Sequence, residues 1–461
     1  MRAGGMERSV RRSLAGFFTL LSLGMGSAAF ADPPLPTERL DAGIQAQKSK
    51  DTERAIVEFE ACLTTATDPE LVTRCRWELG WSWWTTNNWT KVLEQWDKIE
   101  ALPAGLDGLD KYRTQARQNL EDDQRIAASG TGVPASVTPK TASVLRLRAA
   151  GDIMLGTEFP PTLPPQDGAL MLVGVRDLLR DADLTLVNLE GPFCDSGITT
   201  KCGEGSNCYA FRTPTRYVKY LVDSGVDFGS TANNHAGDFG DECRRTTEQT
   251  LDQAKIAWSG APGSIGKLSS KGKKVAVIGF HTNAAVNDVN DHETAATLVK
   301  AASETHDFVV VFFHGGGEGA KAKHVPKGEE IFLGENRGDL RTFSRVVIAA
   351  GADLVLGAGP HVPRGMEIVD GHLVAYSMGN FATYGRFNLS GDLSTSLVLE
   401  VSLAADGKLS SGKILPVRQV GEGVPEVDPT GRSIDLIRLL SNEDFGANAP
   451  IIAKDGSFIP R

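Results

Sequence analysis

The sequence predicts an α/β domain preceded by a small all-α segment, and two patterns carry that prediction. From residue 144 onward, short runs rich in Val, Ile, Leu and Phe alternate with helical stretches and polar loops, as in an α/β sheet. Before that point, residues 38–125 read as helix. The 461 residues suffice for two or three domains with ample core.

Residues 1–31 have the pattern of a secretory signal peptide. Four arginines accompany an apolar run at residues 14–26, and the small residues at 29 and 31 fit a cleavage site before Asp32. A membrane anchor is the alternative, although the apolar run is short for a bilayer span. We therefore expect an exported protein, either periplasmic or extracellular.

The helical segment is predicted at 32–125, and its pattern repeats with an offset of 37 residues. The repeated positions are Gly43, Ala55, Phe59 and Cys62, which recur as Gly80, Val92, Trp96 and Ile99. This is a loose match to two tetratricopeptide repeats. Six of the seven tryptophans lie between Trp77 and Trp96, where they either pack a helical hairpin or form a docking surface for a protein or polysaccharide.

The rest of the chain divides into a linker, a main domain and a tail. Residues 126–143 are small, polar and proline-bearing, which predicts a linker. The main domain is expected at 144–425 and the C-terminal tail at 426–461, with a short helix near 433–442. Strands are expected at 144–150, 184–189, 226–230, 275–280, 309–313, 354–356, 373–376, 397–402 and 413–417, with helices near 174–181, 214–224, 246–254, 295–303 and 340–350.

The six cysteines suggest disulfides, since an even count is typical of exported proteins that form them. The favoured pair is Cys202 with Cys208, because a turn-rich loop separates them. In order of preference, the pairs are Cys202–Cys208, Cys62–Cys75 and Cys194–Cys243. A zinc cluster is the alternative, but the chain has no CxxC pair.

The formal net charge of −10 disfavours some partners. It argues against nucleic acid and against anionic membrane surfaces, both of which would repel the chain. An acidic polymer would also be repelled at long range, so such a substrate requires a local metal ion or an arginine patch.

Five polar motifs follow predicted strands and indicate a metal site. They are Gly151-Asp152, Asn188-Leu189-Glu190, Asn233-Asn234-His235, His314 with Glu318, and Gly357-Ala-Gly-Pro-His361. Loops after the strands of an open α/β sheet converge in the crevice beyond the strand carboxyl ends. Asp, Glu, Asn and His offer oxygen or imidazole ligands, so a divalent metal ion is the expected occupant.

Each motif also has a structural interpretation. Asp152 begins a polar turn and is either an oxygen ligand or a cap. Asn188 and Glu190 share one face of a strand, so Glu190 could bridge two metal ions while Asn188 binds or orients. His235 could act as a general acid, although its asparagine-rich loop is also typical of a turn.

The last two motifs are also open to either interpretation. His314 ends a strongly apolar run and could simply be a core residue, but the glycines after it allow a ligand to approach the backbone closely. Arg364, three residues after His361, could bind an anion.

The order of the motifs resembles the capsule-synthesis CapA family, also called the poly-γ-glutamate biosynthesis family, a branch of the calcineurin-like metallophosphoesterase superfamily. The family patterns Gly-Asp, Asn-Leu-Glu, Asn-Asn-His, His-Trp-Gly-x-Glu and Gly-His-x-Pro-His have counterparts in the five motifs above. Its Ser-Leu-Gly-Asn-Phe pattern matches Ser377-Met-Gly-Asn-Phe381. The resemblance covers about residues 144–420 and leaves the helical segment outside.

The resemblance implies a metallophosphatase-like layered α/β domain with one or two divalent ions, Mn, Zn, Fe or Mg. The implied metal ligands are Asp152, Glu190, Asn234, His314 and His361. The implied catalytic residue is His235. Residues expected to bind substrate or support the ligands are Asn188, Asn233, Glu318 and Arg364.

Two positions depart from the family pattern. Gly315 replaces a tryptophan, which should alter the pocket wall. Ala358 replaces the first histidine of Gly-His-x-Pro-His, which ligates the second metal in the superfamily. The expected result is one tight metal site, with a second that is weak or absent.

Three functions follow from these observations. The first is a metal-dependent hydrolase for a phosphoester or a poly-γ-glutamate-type polymer in capsule or envelope metabolism. The second is a non-catalytic scaffold or anchor in capsule polymer export, favoured by Ala358 and the Trp-rich helices. The third is a helical adaptor that binds a protein partner, which would leave the five-part constellation unexplained.

Overall fold

The computed structural model describes residues 34–199, 201–202, 209–283 and 285–461. The predicted signal peptide and Cys208 lie outside this part of the chain. The chain divides into two compact units, the first ending at Leu79 and the second beginning at Gly80. Within the described ranges, we find no helix with the length and apolarity needed to cross a bilayer.

The described residues contain helices of five to twenty-one residues. These are α1 (Pro36–Lys48), α2 (Thr52–Thr65), α3 (Pro69–Thr85), α4 (Trp89–Trp96), α5 (Leu109–Ser129), α6 (Arg176–Arg180), α7 (Val218–Asp223), α8 (Gly240–Ala254), α9 (His292–Ser303), α10 (Leu340–Ala349) and α11 (Arg432–Phe445).

The strands begin after the helical segment. They are β1 (Leu145–Met154), β2 (Thr157–Glu158), β3 (Pro161–Thr162), β4 (Leu184–Leu189), β5 (Phe228–Ser230), β6 (Ala257–Ser259), β7 (Gly266–Ser270), β8 (Lys273–His281), β9 (Phe308–His314), β10 (Ile331–Phe332), β11 (Glu335–Asn336), β12 (Leu354–Ala358), β13 (Met366–Val369), β14 (His372–Ala375), β15 (Asn380–Thr383), β16 (Thr395–Leu403), β17 (Leu409–Val420), β18 (Val424–Val427), β19 (Ile451–Ile452) and β20 (Ser457–Ile459).

In the first unit, a disulfide joins two neighbouring helices. Cys62 of α2 is bonded to Cys75 of α3, which confirms that predicted pair. Gly43 of α1 lies so close to the Phe59 ring that a Cβ at this position would collide with it. The glycine therefore allows α1 and α2 to approach each other closely.

The other two cysteine pairs have different outcomes. Cys194 and Cys243 are both buried as free thiols, so the predicted bond between them is absent. They belong to one apolar cluster, and in that setting a thiol packs as a small hydrophobic group. Cys202 is disulfide-bonded, but its predicted partner lies outside the described residues.

In the second unit, the tryptophans pack against one another. The Trp84 and Trp89 rings meet edge to face with centroids 5.1 Å apart, and Trp81 meets Trp96 at the same distance. Trp96 is fully buried, and Gly80 lies against its ring as Gly43 lies against Phe59 in the first unit. This packing favours the hairpin interpretation, because a buried ring presents no surface to a partner. The tetratricopeptide assignment stays a prediction.

Two sheets form the centre of the second unit. One has the strand order β19-β20-β17-β16-β1-β4-β5-β6, and the other has the order β13-β14-β12-β9-β8-β7. Their inner faces share one core, in which Leu147 and Leu186 of the first sheet join Val310 and Leu356 of the second. The alternate side chains point outward against helices, α6–α8 on one side and α9–α10 on the other.

The result is a four-layer arrangement of helices, sheet, sheet and helices, which confirms the predicted layered α/β class. Strands covered on both faces read as continuous apolar runs, as in 308–313. The predicted helix in the tail is α11, which packs Leu436 and Leu440 against Ile126 of α5. Helix α5 ends at Ser129, within the residues predicted as linker.

The parallel pairing brings the motifs to one edge. Asp152 of β1 is in register with Asn188 of β4, and His314 of β9 is in register with Ala358 of β12. One expectation needs correction, because Asp152 does not begin a turn. Strand β1 continues to Met154, and Asp152 lies at an irregularity in its pairing with β4.

Candidate metal centre

Three side chains from the two sheets meet at this edge. Asp152, Glu190 and His314 are all fully buried, and each offers a ligand atom within 4.8 Å of the others. The Nδ1 atom of His314 lies 3.4 Å from Glu190 Oε2 and 3.8 Å from Asp152 Oδ1. We call these three residues the metal centre.

The amide nitrogen of Asn188 lies among the three ligands. It is 2.8 Å from Asp152 Oδ1, 3.1 Å from Glu190 Oε2 and 3.2 Å from His314 Nδ1. The nitrogen has two protons for three potential acceptors. The partial positive charge of this nitrogen stabilises the two carboxylates in part, and a cation in the same place would stabilise them more fully. The donor set therefore fits a divalent ion.

Three further polar atoms at the centre support this fit. Glu190 Oε1, Asn234 Oδ1 and His314 Nε2 are buried and have no hydrogen-bond partner among the described residues. Buried polar atoms are rarely left unpaired, because desolvation without a partner is costly. Carboxylate, amide and imidazole atoms left in this state are suited to binding an ion.

His361 approaches the centre from the loop after β12. Its Nδ1 lies 3.0 Å from Asp152 Oδ2, and its Nε2 lies 3.9 Å from Glu190 Oε1. The residue adopts a φ of +61°, a left-handed conformation that is uncommon for a side chain with a Cβ. Gly359 makes the turn possible, because a Cβ there would lie 2.7 Å from the Gly315 carbonyl oxygen.

His235 is held by a carboxylate that the motif analysis missed. Its Nδ1 lies 2.6 Å from Asp238 Oδ2, and its Nε2 faces the centre 3.7 Å from Glu190 Oε1. Asp238 also accepts hydrogen bonds from the Phe211 backbone and from Lys201, each at 2.8 Å. The signal in the sequence was an aspartate three residues after the histidine.

The charges of the site are strongly coupled. Burial raises the pKa of Glu190 well above its ordinary value, and the neighbouring charge of Asp152 raises it further. Burial lowers the pKa of His314 and of His235. Burial also opposes protonation of His361, but its hydrogen bond to Asp152 and the charge of Glu190 raise its pKa to about 9. Two adjacent buried carboxylates thus favour a nearby positive charge.

The remaining predicted residues have different positions. Asn233 donates to the Leu189 carbonyl at 2.7 Å and accepts from the His235 backbone, so it shapes the loop. Glu318 pairs with Arg337 at 3.0 Å. Arg364 is fully buried and forms a bidentate pair with Glu330.

The two departures from the family pattern also have visible consequences. Ala358 is completely buried in the apolar core between the sheets and supplies no ligand beside His314. A Cβ at Gly315 would lie 3.0 Å from the Arg337 carbonyl oxygen, so the segment around Arg337 occupies this space. Any larger side chain at 315 requires that segment to move.

A further histidine, His281, lies beside the centre. It ends β8 as His314 ends β9, and its Nδ1 lies 2.7 Å from the His314 carbonyl oxygen. Burial lowers the pKa of His281 to about 3, so the ring is neutral at physiological pH. Its position at a strand end was the available signal in the sequence.

A cleft of about 600 Å³ opens over the centre. Asn234, His235 and His361 line its inner end. The β10–β11 hairpin and Arg337 also line the cleft, and we call them the cleft wall. The cleft therefore reaches His235 and His361, which lie beside the fully buried centre.

Comparisons with known proteins agree on one region of the chain. A family model described as "Bacterial capsule synthesis protein PGA_cap" matches residues 146–384. The "PGA biosynthesis protein CapA" of Bacillus subtilis (strain 168) is 26% identical over 271 residues, which cover 53% of this chain and 66% of that protein. The "Capsule biosynthesis protein CapA" of Bacillus anthracis is 23% identical over 273 residues, which cover 54% and 62%. The chain thus matches just under two thirds of each relative.

Two solved structures share more distant similarity. A 5'-nucleotidase precursor from Thermus thermophilus has a TM-score of 0.35 and 15% identity, covering 64% of this chain and 58% of that one. The purple acid phosphatase PPD1 of yellow lupin (Lupinus luteus) seeds has a TM-score of 0.30 and 14% identity, covering 66% and 56%. Scores this low carry no conclusion about the chain.

Proposed function

The chain belongs to the bacterial capsule synthesis protein PGA_cap family, and on that premise we propose that it is an exported metal-dependent hydrolase. Its substrate would be a phosphoester or a poly-γ-glutamate-type polymer in capsule or envelope metabolism. The observation that carries this proposal is the buried group of Asp152, Glu190 and His314, which lies beside two histidines, His235 and His361, that line an open cleft.

Each residue has a distinct part in the proposed reaction. Asp152, Glu190 and His314 would hold the ion, with Asn234 and His361 as further ligands. A divalent ion in this position supplies Lewis acidity and lowers the pKa of bound water. Asp238 fixes the His235 ring by accepting a hydrogen bond from Nδ1, so that Nε2 faces the centre. Nε2 of the neutral ring accepts a proton, and the protonated ring would then donate that proton to the leaving group.

Export of the protein is part of the proposal. The signal-peptide pattern at 1–31 and the Cys62–Cys75 disulfide both support an oxidising compartment outside the cytoplasm. Fractionation of cells that produce the full chain tests this. A processed protein in the periplasm or medium is the expected result, and unprocessed protein in the cytoplasm would contradict it.

A scaffold role in capsule polymer export is the second candidate. The observation that favours it is Ala358, because the second-metal histidine of the family pattern is replaced by a buried methyl group. The ion would then organise the polymer without cleaving it.

One experiment separates the two candidates. The mature chain is purified, its bound metal is measured by elemental analysis, and it is assayed with Mn²⁺ on a generic phosphodiester and on poly-γ-glutamate. Turnover of either substrate that depends on added metal supports the hydrolase. Bound metal with no turnover of either substrate would favour the scaffold. The His306→Ala variant provides a control, because this histidine lies just before β9 begins, whereas His314 ends that strand.

A further inference from the structure

The cleft wall contains a buried arginine whose guanidinium is only partly paired. The side chain of Arg337 is 2% exposed, and its Nη1 contacts Glu318 Oε1 at 3.0 Å and Glu335 Oε2 at 3.7 Å. The Nε and Nη2 atoms are buried and have no hydrogen-bond partner among the described residues. Leaving charged donors in this state is costly, so a partner beyond the described residues is expected.

The geometry of the unpaired atoms defines the partner. In a guanidinium group, Nε and Nη2 form one edge, from which two parallel N–H bonds point the same way. That edge matches the two oxygens of a carboxylate or a phosphate. The Nη1 atom lies on the other side and is the one that contacts Glu318.

The backbone around Arg337 holds this group beside the metal centre. The Gly316 backbone donates to the Arg337 carbonyl at 2.8 Å, and the Arg337 backbone donates to Glu330 at 2.7 Å. Glu330 in turn is held by Arg364. Arg364 was a candidate for anion binding by its sequence position. In the structure it instead anchors the segment that contains Arg337.

We propose that Arg337 binds an oxyanion of the substrate, a carboxylate or a phosphate, at the cleft wall. This rests on the proposed function, because it assigns part of the substrate for that site. A chain with a formal charge of −10 repels anionic polymers at long range, and Arg337, with Lys201 and Arg386 also lining the cleft, supplies local positive charge to bind one. It is a binding residue and takes no part in proton transfer.

The test uses isothermal titration calorimetry on the mature chain, with and without Mn²⁺. Inorganic phosphate and the dipeptide γ-glutamyl-glutamate are the probes, since they separate the two sources of the oxyanion. We expect one probe to bind and the Arg337→Gln variant to bind it about tenfold or more weakly. The affinity of the Arg337→Lys variant should lie between those of the wild-type chain and Arg337→Gln, because lysine keeps the charge but loses the paired donors.

The matched control is Arg418→Gln. Arg418 pairs with Glu426 on an exposed strand and does not line the cleft. Arg418→Gln therefore changes the net charge by the same amount as Arg337→Gln but removes no side chain from the cleft. Equal weakening in both variants would overturn the proposal, as would unchanged affinity in Arg337→Gln or no binding of either probe to the wild-type chain. Arg337→Lys provides the measurement if Arg337→Gln does not fold.

The same variants distinguish this inference from the proposed function. If the wild-type chain shows no turnover but binds a probe through Arg337, the hydrolase fails and the anion site stands. If turnover is present and Arg337→Gln leaves KM unchanged, the anion site fails and the hydrolase stands.

Discussion

The metal centre and the cleft wall are held in different ways. The metal centre consists of Asp152, Glu190 and His314, which are fixed by strand ends in two sheets and are fully buried. The wall consists of a two-stranded hairpin that includes Leu333, 89% exposed, and is followed by Arg337. Strand register thus positions the proposed ion ligands, while a short hairpin precedes the residue that we propose binds the substrate.

The largest effect is expected from removing ligands at the metal centre. The double variant Asp152→Ala with His361→Ala loses an oxygen donor pair and an imidazole, so its affinity for Mn²⁺ should fall by orders of magnitude. Elemental analysis after desalting measures this, and Arg337→Gln should retain its metal. Unchanged metal content in the double variant would show that the ion lies elsewhere.

The next largest effect is expected at His235. His235→Ala removes a proton donor without removing a ligand, so kcat should fall by about 10²–10⁴-fold. Bound metal should remain as in the wild-type chain, and His306→Ala should retain full turnover. Full activity in His235→Ala would exclude this residue from the mechanism.

A smaller loss is expected when the partner of His235 is changed. Asp238→Asn keeps the size of the side chain but weakens its hold on the imidazole Nδ1, so kcat should fall by about 10–100-fold. KM should change little, since Asp238 does not line the cleft. Loss of metal in this variant, with kcat per bound ion preserved, would instead assign Asp238 to metal binding.

The smallest effect is expected from restoring the family histidine. Position 358 is in register with His314, so Ala358→His should place an imidazole near the centre and raise the bound metal toward a second ion per chain. Elemental analysis of the folded variant measures the ratio. A ratio equal to that of the wild-type chain would show that the alanine does not limit metal content.

The difference between strand ends and loops also explains which parts of the structure could be predicted from the sequence. Apolar runs ending in Asp152, Glu190 and His314 predicted both the strands and their convergence, because parallel strands bring their carboxyl ends to one edge. The strand that ends at His281, and the motif that Asp238 follows, also placed a polar residue at or after the end of a strand. Each was missed because a single histidine at a strand end, or a single aspartate in a turn, is common without any functional role.

The cleft wall could not be predicted in this way. Arg364 and Arg337 are both arginines in loops near the motifs, and only the fold shows that Arg364 is engaged with Glu330 while Arg337 has an unpaired edge. Likewise, Cys194 and Cys243 were paired by elimination, yet both are free thiols. Contacts between distant segments decide such cases, and neither spacing nor periodicity determines those contacts.

Anomalous diffraction from crystals of the mature chain grown with Mn²⁺ tests the central claim most directly. We predict an anomalous peak within bonding distance of Asp152, Glu190 and His314. Crystals with no peak among these three residues, or with a peak only at another site, would contradict the assignment of the metal centre.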